Sequence, residues 1–553
     1  MTAETFDYII VGAGSAGCVL ADRLTESGQD SVLLLEYGGS DRALWIQMPG
    51  ALNIPLNMER YDWRYYTEPE PNLNNRRLHT PRGKVLGGSS SINGLVYVRG
   101  NPLDFERWES DGAAGWGYHD VLPYFRRAEA YAGGADEYRG ADGKLATRRG
   151  LLTNPLYDAW LAAGREAGYA YSADMNGFQQ EGFARMDMTV AGGRRCSTAN
   201  AYLRPARRRA NLAVRTHALV TDLQFAGRRA VGVRYQRGGV AHEARVRREV
   251  ILCAGAINSP QLLKLSGIGP RNELAALGIA VVQELAGVGE NLQDHVEFYF
   301  QVASRVPITL YKHMSLWRRG LIGARWLLTH DGLGASNQFE TGGFIRSRAG
   351  VRYPDIQFHF LPLAVSYDGS SLAKEHGFQA HVGPMRSRST GWVRLRSTAA
   401  TERPMIFFNY LSQPDDWAEM RACVRLTREI FSQPAFAPYR AREIQPGEHV
   451  RSDEEIDAFI RAKAESAFHP SCTCKMGRTS DPMAVVDKEA RVIGVEALRV
   501  VDSSIMPSIT TGNLNAPTIM LAEKAADHIR GKPLLPRASA PYYVAPDWES
   551  RQR

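Results

Sequence analysis

The stretch that decides the fold is FDYIIVGAGSAGCVLADRLTESGQDSVLLLEYG, residues 6–38. Its apolar runs predict strands over residues 6–11 and 31–36, and the periodic stretch between them predicts a helix over Ser15–Thr25. Two strands joined through a helix form a βαβ unit, whose strands run parallel. The stretch therefore predicts an α/β fold with a doubly wound, Rossmann-like sheet that binds a nucleotide.

The turn between the first strand and the helix is rich in glycine. Gly12, Gly14 and Gly17 form G-x-G-x-x-G, which allows a tight turn and a close approach of the backbone to a pyrophosphate. The helix that begins at Ser15 offers unpaired N–H groups to the anion. Glu36, at the end of the next strand, is placed to accept the ribose hydroxyls. A glycine-rich turn alone would be weak evidence, but with these neighbours the pattern predicts a dinucleotide, either NAD or FAD.

Composition excludes several classes of protein. The chain has 553 residues, enough for two domains, and six scattered cysteines, which favour a reducing, cytoplasmic location. The net charge of +8 comes mainly from dispersed arginines, without the long basic runs of a nucleic-acid-binding protein. We interpret this charge as a solvated surface, with contact to an anionic membrane as the alternative. Any membrane attachment is expected to be peripheral, because no apolar run approaches the roughly 20 residues that span a bilayer. The sequence does not indicate the oligomeric state.

Two later segments resemble parts of the same sheet, namely REVILCAGAINSPQLLKLSGIGP and LRVVDSSIMP. Between them lies a region with aromatic, alternating strands such as DIQFHF and the amphipathic helical stretch DDWAEMRACVRLTREIF. We therefore expect an inserted α+β domain built on an antiparallel sheet. The expected division is a discontinuous nucleotide-binding domain (1–153, 192–296 and 467–535), a substrate-binding domain (154–191 and 297–466) and a C-terminal tail (536–553).

Several motifs carry a family resemblance. The segment GKVLGGSSSINGLVYVRG, residues 83–100, resembles the first signature of the glucose-methanol-choline (GMC) oxidoreductases, and GAINSPQLLKLSGIG, residues 255–269, resembles the second. With HPSCTCKMG and VVDSSIMPSITTGNLNAPTIM near the C-terminus, the resemblance covers nearly the whole chain. It implies an FAD-dependent alcohol oxidoreductase, which decides between the two dinucleotides.

The resemblance also implies a set of FAD contacts beyond the first glycine loop. Asp502 ends the strand LRVVD, where a turn-forming role is the alternative. Ile92 stands where some family members carry a histidine bonded to the flavin, so we expect FAD to be held without a covalent link. The implied contacts are Gly87, Gly88, Ser89, Asn93, Val220, Asp502, Asn515 and Thr518.

The stretch AFHPSCTCKMG, residues 467–477, holds one histidine and two cysteines. A C-x-C pair supplies too few ligands for structural zinc, so we expect no metal; Cys472 and Cys474 are packing residues or a redox pair. The resemblance implies that His469 is a neutral base that takes the substrate's hydroxyl proton while hydride passes to flavin N5. It also implies that Asn513, which cannot act as a base, holds the substrate oxygen by a hydrogen bond.

The resemblance further implies a substrate site for a quaternary ammonium. Glu297 is expected to face the cation, and Trp63, Phe339 and Phe468 to surround it, since aromatic faces and one carboxylate suit a group that donates no hydrogen bonds. Each alone has a structural alternative, as has His359, an additional active-site candidate. The expected reaction is the oxidation of choline to betaine aldehyde, with glycine betaine as an open further product. The alternatives are an enzyme for uncharged alcohols, a flavin-binding protein without turnover and a nicotinamide enzyme. Oxygen, a quinone and a carrier protein all stay open as electron acceptors.

Overall fold

The structure, a computed structural model, describes residues 4–365 and 375–553. Its α-helices have the following bounds: α1 Ser15–Thr25, α2 Leu44–Gln47, α3 Asn53–Leu56, α4 Pro102–Ser110, α5 Tyr118–Ala128, α6 Pro155–Glu166, α7 Arg204–Ala206, α8 Gly255–Leu265, α9 Arg271–Ala276, α10 Leu316–Thr329, α11 Pro414–Ser432, α12 Asp453–Lys463 and α13 Asn515–Ile529. Short helical turns occupy Pro49–Ala51, Pro71–Leu73, Gly88–Ser91, Ala199–Leu203, Leu310–His313, Gly332–Ala335, Pro434–Phe436 and Ser503–Ile505.

The strands are β1 Glu4–Val11, β2 Val32–Leu35, β3 Tyr65–Tyr66, β4 His79–Thr80, β5 Val96–Tyr97, β6 Glu129–Tyr131, β7 Leu145–Arg149, β8 Gly182–Arg185, β9 Asp187–Met188, β10 Val190–Ala191, β11 Arg194–Arg195, β12 Leu212–Arg215, β13 Ala218–Ala226, β14 Arg229–Arg237, β15 Val240–Leu252, β16 Ile268–Gly269, β17 Gln283–Glu284, β18 Val296–Ser304, β19 Thr341–Ile345, β20 Ile356–Leu361, β21 Gly377–Pro384, β22 Trp392–Arg394, β23 Met405–Phe407, β24 Arg440–Gln445, β25 Glu465–Ser466 and β26 Leu498–Val500.

A first seven-stranded sheet within the described residues has the order β12-β2-β1-β15-β14-β13, with β26 paired to β15. β1 runs parallel to both β2 and β15, and β26 runs parallel to β15. The predicted βαβ unit is confirmed, and α1 has the predicted bounds. The later segments belong to the same sheet, as expected. Because parallel strands are covered on both faces, β2 and the second half of β1 read as continuous apolar runs.

A second seven-stranded sheet of the described residues has the order β24-β18-β21-β20-β19-β8, with β25 paired to β18. Its pairs are antiparallel. The predicted strand in DIQFHF is β20, and the predicted amphipathic helix is α11, whose buried side chains Met420, Cys423, Val424, Thr427, Ile430 and Phe431 follow a helical period. The α/β fold with an inserted antiparallel sheet is therefore confirmed.

The two sheets draw on different parts of the chain. The first uses strands from 1–153, 192–296 and 467–535, and the second uses strands from 154–191 and 297–466, apart from Val296 at the start of β18. The domain boundaries themselves stay a prediction. Among the described residues, no helix has the length and apolar character needed to cross a membrane.

Candidate active site

The glycine loop after β1 packs tightly against the end of β15. Gly12 has a φ of +99°, and a Cβ atom there would lie 2.6 Å from the carbonyl oxygen of Cys253. At Gly17 a Cβ would lie 1.9 Å from the carbonyl oxygen of Gly12. Both positions therefore require glycine, and the backbone at Gly14 is left bordering a cavity.

Two helices begin at this cavity with their N-termini uncapped. Neither α1 nor α13 has a side-chain cap or an acidic residue in its first turn. Ser15 donates from Oγ to Oδ1 of Asn515 at 2.8 Å, which joins the two helix starts. Free N–H groups and two positive helix ends suit an anion such as a pyrophosphate. The residues present therefore fit a dinucleotide.

Glu36 lies beside the loop in a buried position. Its Oε2 accepts a hydrogen bond from the N–H of Ala13 at 2.9 Å, and its Oε1 accepts one from the N–H of Gly38 at 2.7 Å. Burial raises the pKa of Glu36 to about 7. The carboxyl group therefore fixes the loop and borders the same cavity.

The residues of the GGSSS segment lie against the first loop. The N–H of Gly87 donates to the carbonyl oxygen of Ala13 at 2.7 Å. Gly17 and Gly87 are not among the residues that line the cavity. All the other residues predicted to contact the cofactor line one cavity: Gly12, Gly14, Ser15, Glu36, Gly88, Ser89, Asn93, Val220, Asp502, Asn515 and Thr518.

Asp502 forms hydrogen bonds within its turn and borders the cavity, while its contact with FAD stays a prediction. Its Oδ2 accepts from the N–H of Gly255 at 2.8 Å and from the Ser259 hydroxyl at 2.6 Å, and its Oδ1 accepts from the N–H of Ser504 at 2.8 Å. It therefore forms the turn after β26 and holds the start of α8, while it also borders the cavity.

His469 lies at the far end of the cavity within a chain of hydrogen bonds. Its Nε2 is 3.1 Å from Nδ2 of Asn513, and its Nδ1 is 3.0 Å from Nδ1 of His295. Nε2 of His295 is 3.0 Å from the carbonyl oxygen of Met385. Since a carbonyl only accepts, His295 donates from Nε2 and accepts at Nδ1. His469 therefore donates from Nδ1, and the lone pair on its Nε2 accepts from Nδ2 of Asn513.

The three histidines of this site are neutral. Burial, and then the charges of His295 and His359 when they are protonated and of Arg82, hold the pKa of His469 well below its usual range. Burial lowers the pKa of both His295 and His359 to about 4. The lone pair of His469 is therefore available to take a proton at neutral pH.

The backbone of His469 is held by Asp294. Oδ1 of Asp294 accepts from the N–H of His469 at 2.6 Å, and its Oδ2 accepts from the hydroxyls of Tyr410 and Ser466. Burial raises the pKa of Asp294 to about 6. Phe468, immediately before the histidine, has a φ of +67°, so the chain turns sharply there. This turn places both Phe468 and His469 on the cavity wall.

The predicted substrate residues lie in the same part of the cavity. Oε1 of Glu297, whose side chain is nearly buried, is 3.2 Å from Nδ1 of His381. The Phe339 ring is 5.4 Å from the His381 ring and 6.0 Å from the His359 ring. Nε2 of His359 lies 3.2 Å from Oδ1 of Asn513. These contacts connect the predicted cation site to the predicted base.

Trp63 and Phe468 line the cavity as well, but Trp63 also packs elsewhere. Its ring stacks on Tyr65 at 5.7 Å and lies 5.0 Å from the ring of Tyr37. Trp63 therefore forms part of the wall near the strand pair β3–β4, and its place in a cation cage stays a prediction.

The two cysteines of the C-x-C pair are free and buried in the hydrophobic core. Burial raises the pKa of the Cys472 thiol to about 12 and also raises that of Cys474. Since the thiolate is the reactive form, these surroundings favour packing over redox chemistry. In the described part of the chain, no group of His, Cys, Asp and Glu side chains is arranged to hold a metal ion.

The sequence interpretation missed His295, Asp294, Gln357 and His381. A signal was present for two of them. Gln357 stands two residues before His359 on β20, so both project from one side of that strand, and His295 stands immediately before β18, two residues before Glu297. His381 faces His359 across β20 and β21, a pairing that only the sheet register provides.

Comparisons with known proteins give matches over most of the chain. Two family models described as GMC oxidoreductase match residues 6–297 and 387–522. The oxygen-dependent choline dehydrogenase of Photobacterium profundum is 55% identical over 99% of this chain and 97% of that protein. The enzyme of the same name from Brucella anthropi is 56% identical over 99% of this chain and 100% of that protein.

Solved structures extend the comparison. Pyridoxine 4-oxidase from Mesorbium loti superimposes with a TM-score of 0.87 at 30% identity, covering 96% of this chain and all of that chain. An FAD-dependent oxidoreductase from Chaetomium thermophilum gives a TM-score of 0.86 at 27% identity, covering 95% of this chain and 99% of that chain.

Proposed function

This chain belongs to the GMC oxidoreductase family, and we propose that it oxidises choline to betaine aldehyde with the activity of an FAD-dependent choline dehydrogenase. The observation that carries the proposal is that Glu297, His469 and the glycine loop line one cavity. A carboxylate for a cation, a neutral base and a dinucleotide cradle are thereby brought together.

FAD, when bound, accepts hydride from the alcohol carbon at flavin N5. The residues that would hold it are those of the glycine loop, Glu36 and the joined starts of α1 and α13. Ile92 also lines the cavity, and its side chain offers no nucleophile for a bond to the flavin. We therefore propose that the cofactor is held without a covalent link.

His469 supplies the base. Its lone pair lies on Nε2 because His295 accepts the hydrogen bond from Nδ1. Transfer of the hydroxyl proton to Nε2 increases the electron density on the alcohol oxygen, which makes the adjacent C–H bond a better hydride donor. Such positioned bases typically contribute about 10² to 10⁴ in rate.

Asn513 positions the oxygen. Its Oδ1 lies 3.2 Å from Nε2 of Gln357, which fixes the amide so that Nδ2 faces His469. An alcohol oxygen bound between Nδ2 and the imidazole would accept from the amide and donate to the base. Asn513 thus holds the oxygen without taking a proton.

The cation is recognised by Glu297 and the aromatic wall. A trimethylammonium group attracts a carboxylate and the faces of aromatic rings, and it cannot satisfy hydrogen-bond acceptors. Glu297 next to Phe339 and His381, with Phe468 on the wall, meets this requirement. We propose that His359, close to both Phe339 and Asn513, shapes the junction between the cation site and the base.

Anaerobic mixing of the yellow enzyme with choline tests the proposal. Loss of the flavin absorbance on addition of choline, with much slower loss on addition of an uncharged alcohol of the same shape, is the expected result. Bleaching by both alcohols alike would favour the enzyme for uncharged alcohols, and no bleaching by any alcohol would favour a flavin-binding protein without turnover.

The electron acceptor is part of the proposal. We infer that oxygen reoxidises the enzyme, in line with the names of the relatives at 55–56% identity. Oxygen consumption during choline turnover would support this, whereas turnover only with an added quinone or carrier would contradict it. We also propose a cytoplasmic location, because the six cysteines are free and free cysteines are typical of a reducing compartment.

A further inference from the structure

Helix α10, Leu316–Thr329, lies on the surface with an unusual distribution of side chains. Its single buried residue is Trp326, which donates from Nε1 to the carbonyl oxygen of Gly193 at 2.7 Å. By contrast, Leu316 is 85% exposed and Leu328 is 84% exposed. Large apolar side chains that face solvent together mark an interaction surface.

The exposed side chains share one side of the helix. At about 100° per residue, they span less than half of its circumference, while Trp326 and Ile322 lie on the opposite side, toward the protein. We call this exposed side the apolar face. Its members are Leu316, Trp317, Leu321, Leu327 and Leu328.

Basic residues border the apolar face. Arg318 and Arg325 follow one edge of it, and Arg319 lies beyond the other edge. No Asp or Glu occurs between Glu297 and Asp331 in the sequence. Arg325 pairs with Asp331 at 2.7 Å.

Three other positive charges lie on or just before the helix. Within residues 4–365 and 375–553, no carboxylate forms an ion pair with Lys312, Arg318 or Arg319. The charges of Lys312 and Arg318 also contribute to the lowered pKa of His313 nearby, after the larger effect of burial. The helix therefore combines exposed apolar surface with positive charge that the described residues do not neutralise.

We propose that α10 docks the protein onto an anionic lipid bilayer, with the apolar face in the headgroup region and the arginines paired with lipid phosphates. At 14 residues, the helix is roughly 21 Å long, too short and too charged to span a hydrocarbon core of about 30 Å. Its composition is typical of a helix that lies in the membrane plane. A tryptophan, Trp317, within the apolar face and arginines that can extend to the phosphates suit this depth.

The docking helix is connected to the active site. The chain leaves α10, passes through Gly332–Ala335 and reaches Phe339, which lines the cavity. A Cβ at Gly334 would lie 2.8 Å from Cβ of Trp326, so the turn packs directly beneath the helix. Docking would therefore bring the wall of the substrate cavity close to the bilayer.

Vesicle sedimentation of the purified FAD-loaded enzyme tests the proposal. The parent should bind vesicles of phosphatidylcholine with phosphatidylglycerol, bind pure phosphatidylcholine far less, and dissociate as salt is raised. Trp317→Ser with Leu328→Ser should weaken binding at least about tenfold. Arg318→Gln with Arg319→Gln should weaken it on the order of thirtyfold, because each arginine near an anionic surface contributes about 1 kcal/mol.

Matched controls remove exposed apolar or basic side chains elsewhere on the surface. Leu151→Ser with Val240→Ser removes exposed apolar groups, and Arg207→Gln with Arg208→Gln removes exposed charges. Both controls should bind like the parent, and all four variants should keep the parent's melting temperature because the changed side chains are exposed.

Three results would overturn the proposal. One is equal or absent binding of the parent to anionic and neutral vesicles. Another is retention of binding in both α10 variants. The third is a dimer of the free enzyme that the Trp317/Leu328 variant dissociates, without vesicle binding by the parent, which would make the apolar face an interface between two copies.

Discussion

The Nδ1 atoms of His295 and His469 lie 3.0 Å apart, so one imidazole must donate to the other. Because Nε2 of His295 is committed to the carbonyl oxygen of Met385, the donor is His469. This contact leaves the lone pair of His469 on Nε2, toward Asn513. His295 is therefore a positioning residue that selects the tautomer of the base without reaching the substrate.

Replacing His295 tests this relationship. His295→Gln should lower kcat by roughly ten- to hundredfold, a part of the 10² to 10⁴ that a positioned base contributes, with KM for choline changed little. The matched control is His528→Gln, a half-buried histidine near Trp116, which should leave kcat unchanged. A rise in KM with normal kcat would contradict the positioning role.

The pH profile of the same variant gives a second readout. Burial and the neighbouring charges lower the pKa of His469, so the base stays neutral and active through neutral pH and loses activity only as pH falls through that lowered pKa. His295, whose own pKa is about 4, is one of the groups that lower it once His295 is protonated. His295→Gln should therefore move the acid limb of kcat/KM to higher pH, and an unmoved or lowered limb would count against the account.

The base itself is tested by His469→Ala. This variant should keep the flavin spectrum but reduce the rate of anaerobic flavin reduction by at least about a hundredfold. Asn513→Ala should cost less, because water partly replaces a lost hydrogen bond but not a positioned base. Near-normal reduction in His469→Ala would remove this residue from the mechanism.

The mode of FAD attachment is tested by acid precipitation. Since Ile92 offers no nucleophile at the cavity wall, precipitation of the yellow protein should release FAD into the supernatant. Measuring the absorbance of pellet and supernatant is sufficient. A pellet that retains the flavin would show that another residue forms a covalent link.

Local patterns explain which parts of the fold were predictable. The helix α1 was predicted with its final bounds because the glycine turn and the apolar period both lie within one short segment. The antiparallel sheet was predicted as a class, but its register was not, because strand pairing joins residues far apart in sequence. His381 opposite His359 is one consequence.

The same distinction applies to the candidate site. His469, Asn513 and Glu297 were predicted because they lie in motifs that resemble a known family. Met385, whose backbone carbonyl determines the tautomer of His295, carries no signal in its side chain. The exposure of α10 was likewise unpredictable, since a run such as LWRRGLIGARWLL is equally consistent with burial until the packing is known.

The central claim is that Glu297 recognises the cation of choline. The residue is only 8% exposed, and its carboxylate lies 3.2 Å from His381. Glu297→Gln keeps the shape of the side chain and removes its charge. The matched control is Glu465→Gln, because Glu465 pairs with Glu297 across β18 and β25 but accepts its hydrogen bond from the Tyr299 hydroxyl.

The decisive measurement is the ratio of kcat/KM for choline to that for 3,3-dimethylbutan-1-ol, its uncharged isostere, in the parent and in both variants. Removing one partner of a desolvated charge pair costs roughly 2 to 5 kcal/mol, so the ratio should fall at least about thirtyfold in Glu297→Gln. It should stay unchanged in Glu465→Gln. An unchanged ratio in Glu297→Gln would contradict the account and favour an enzyme for uncharged alcohols.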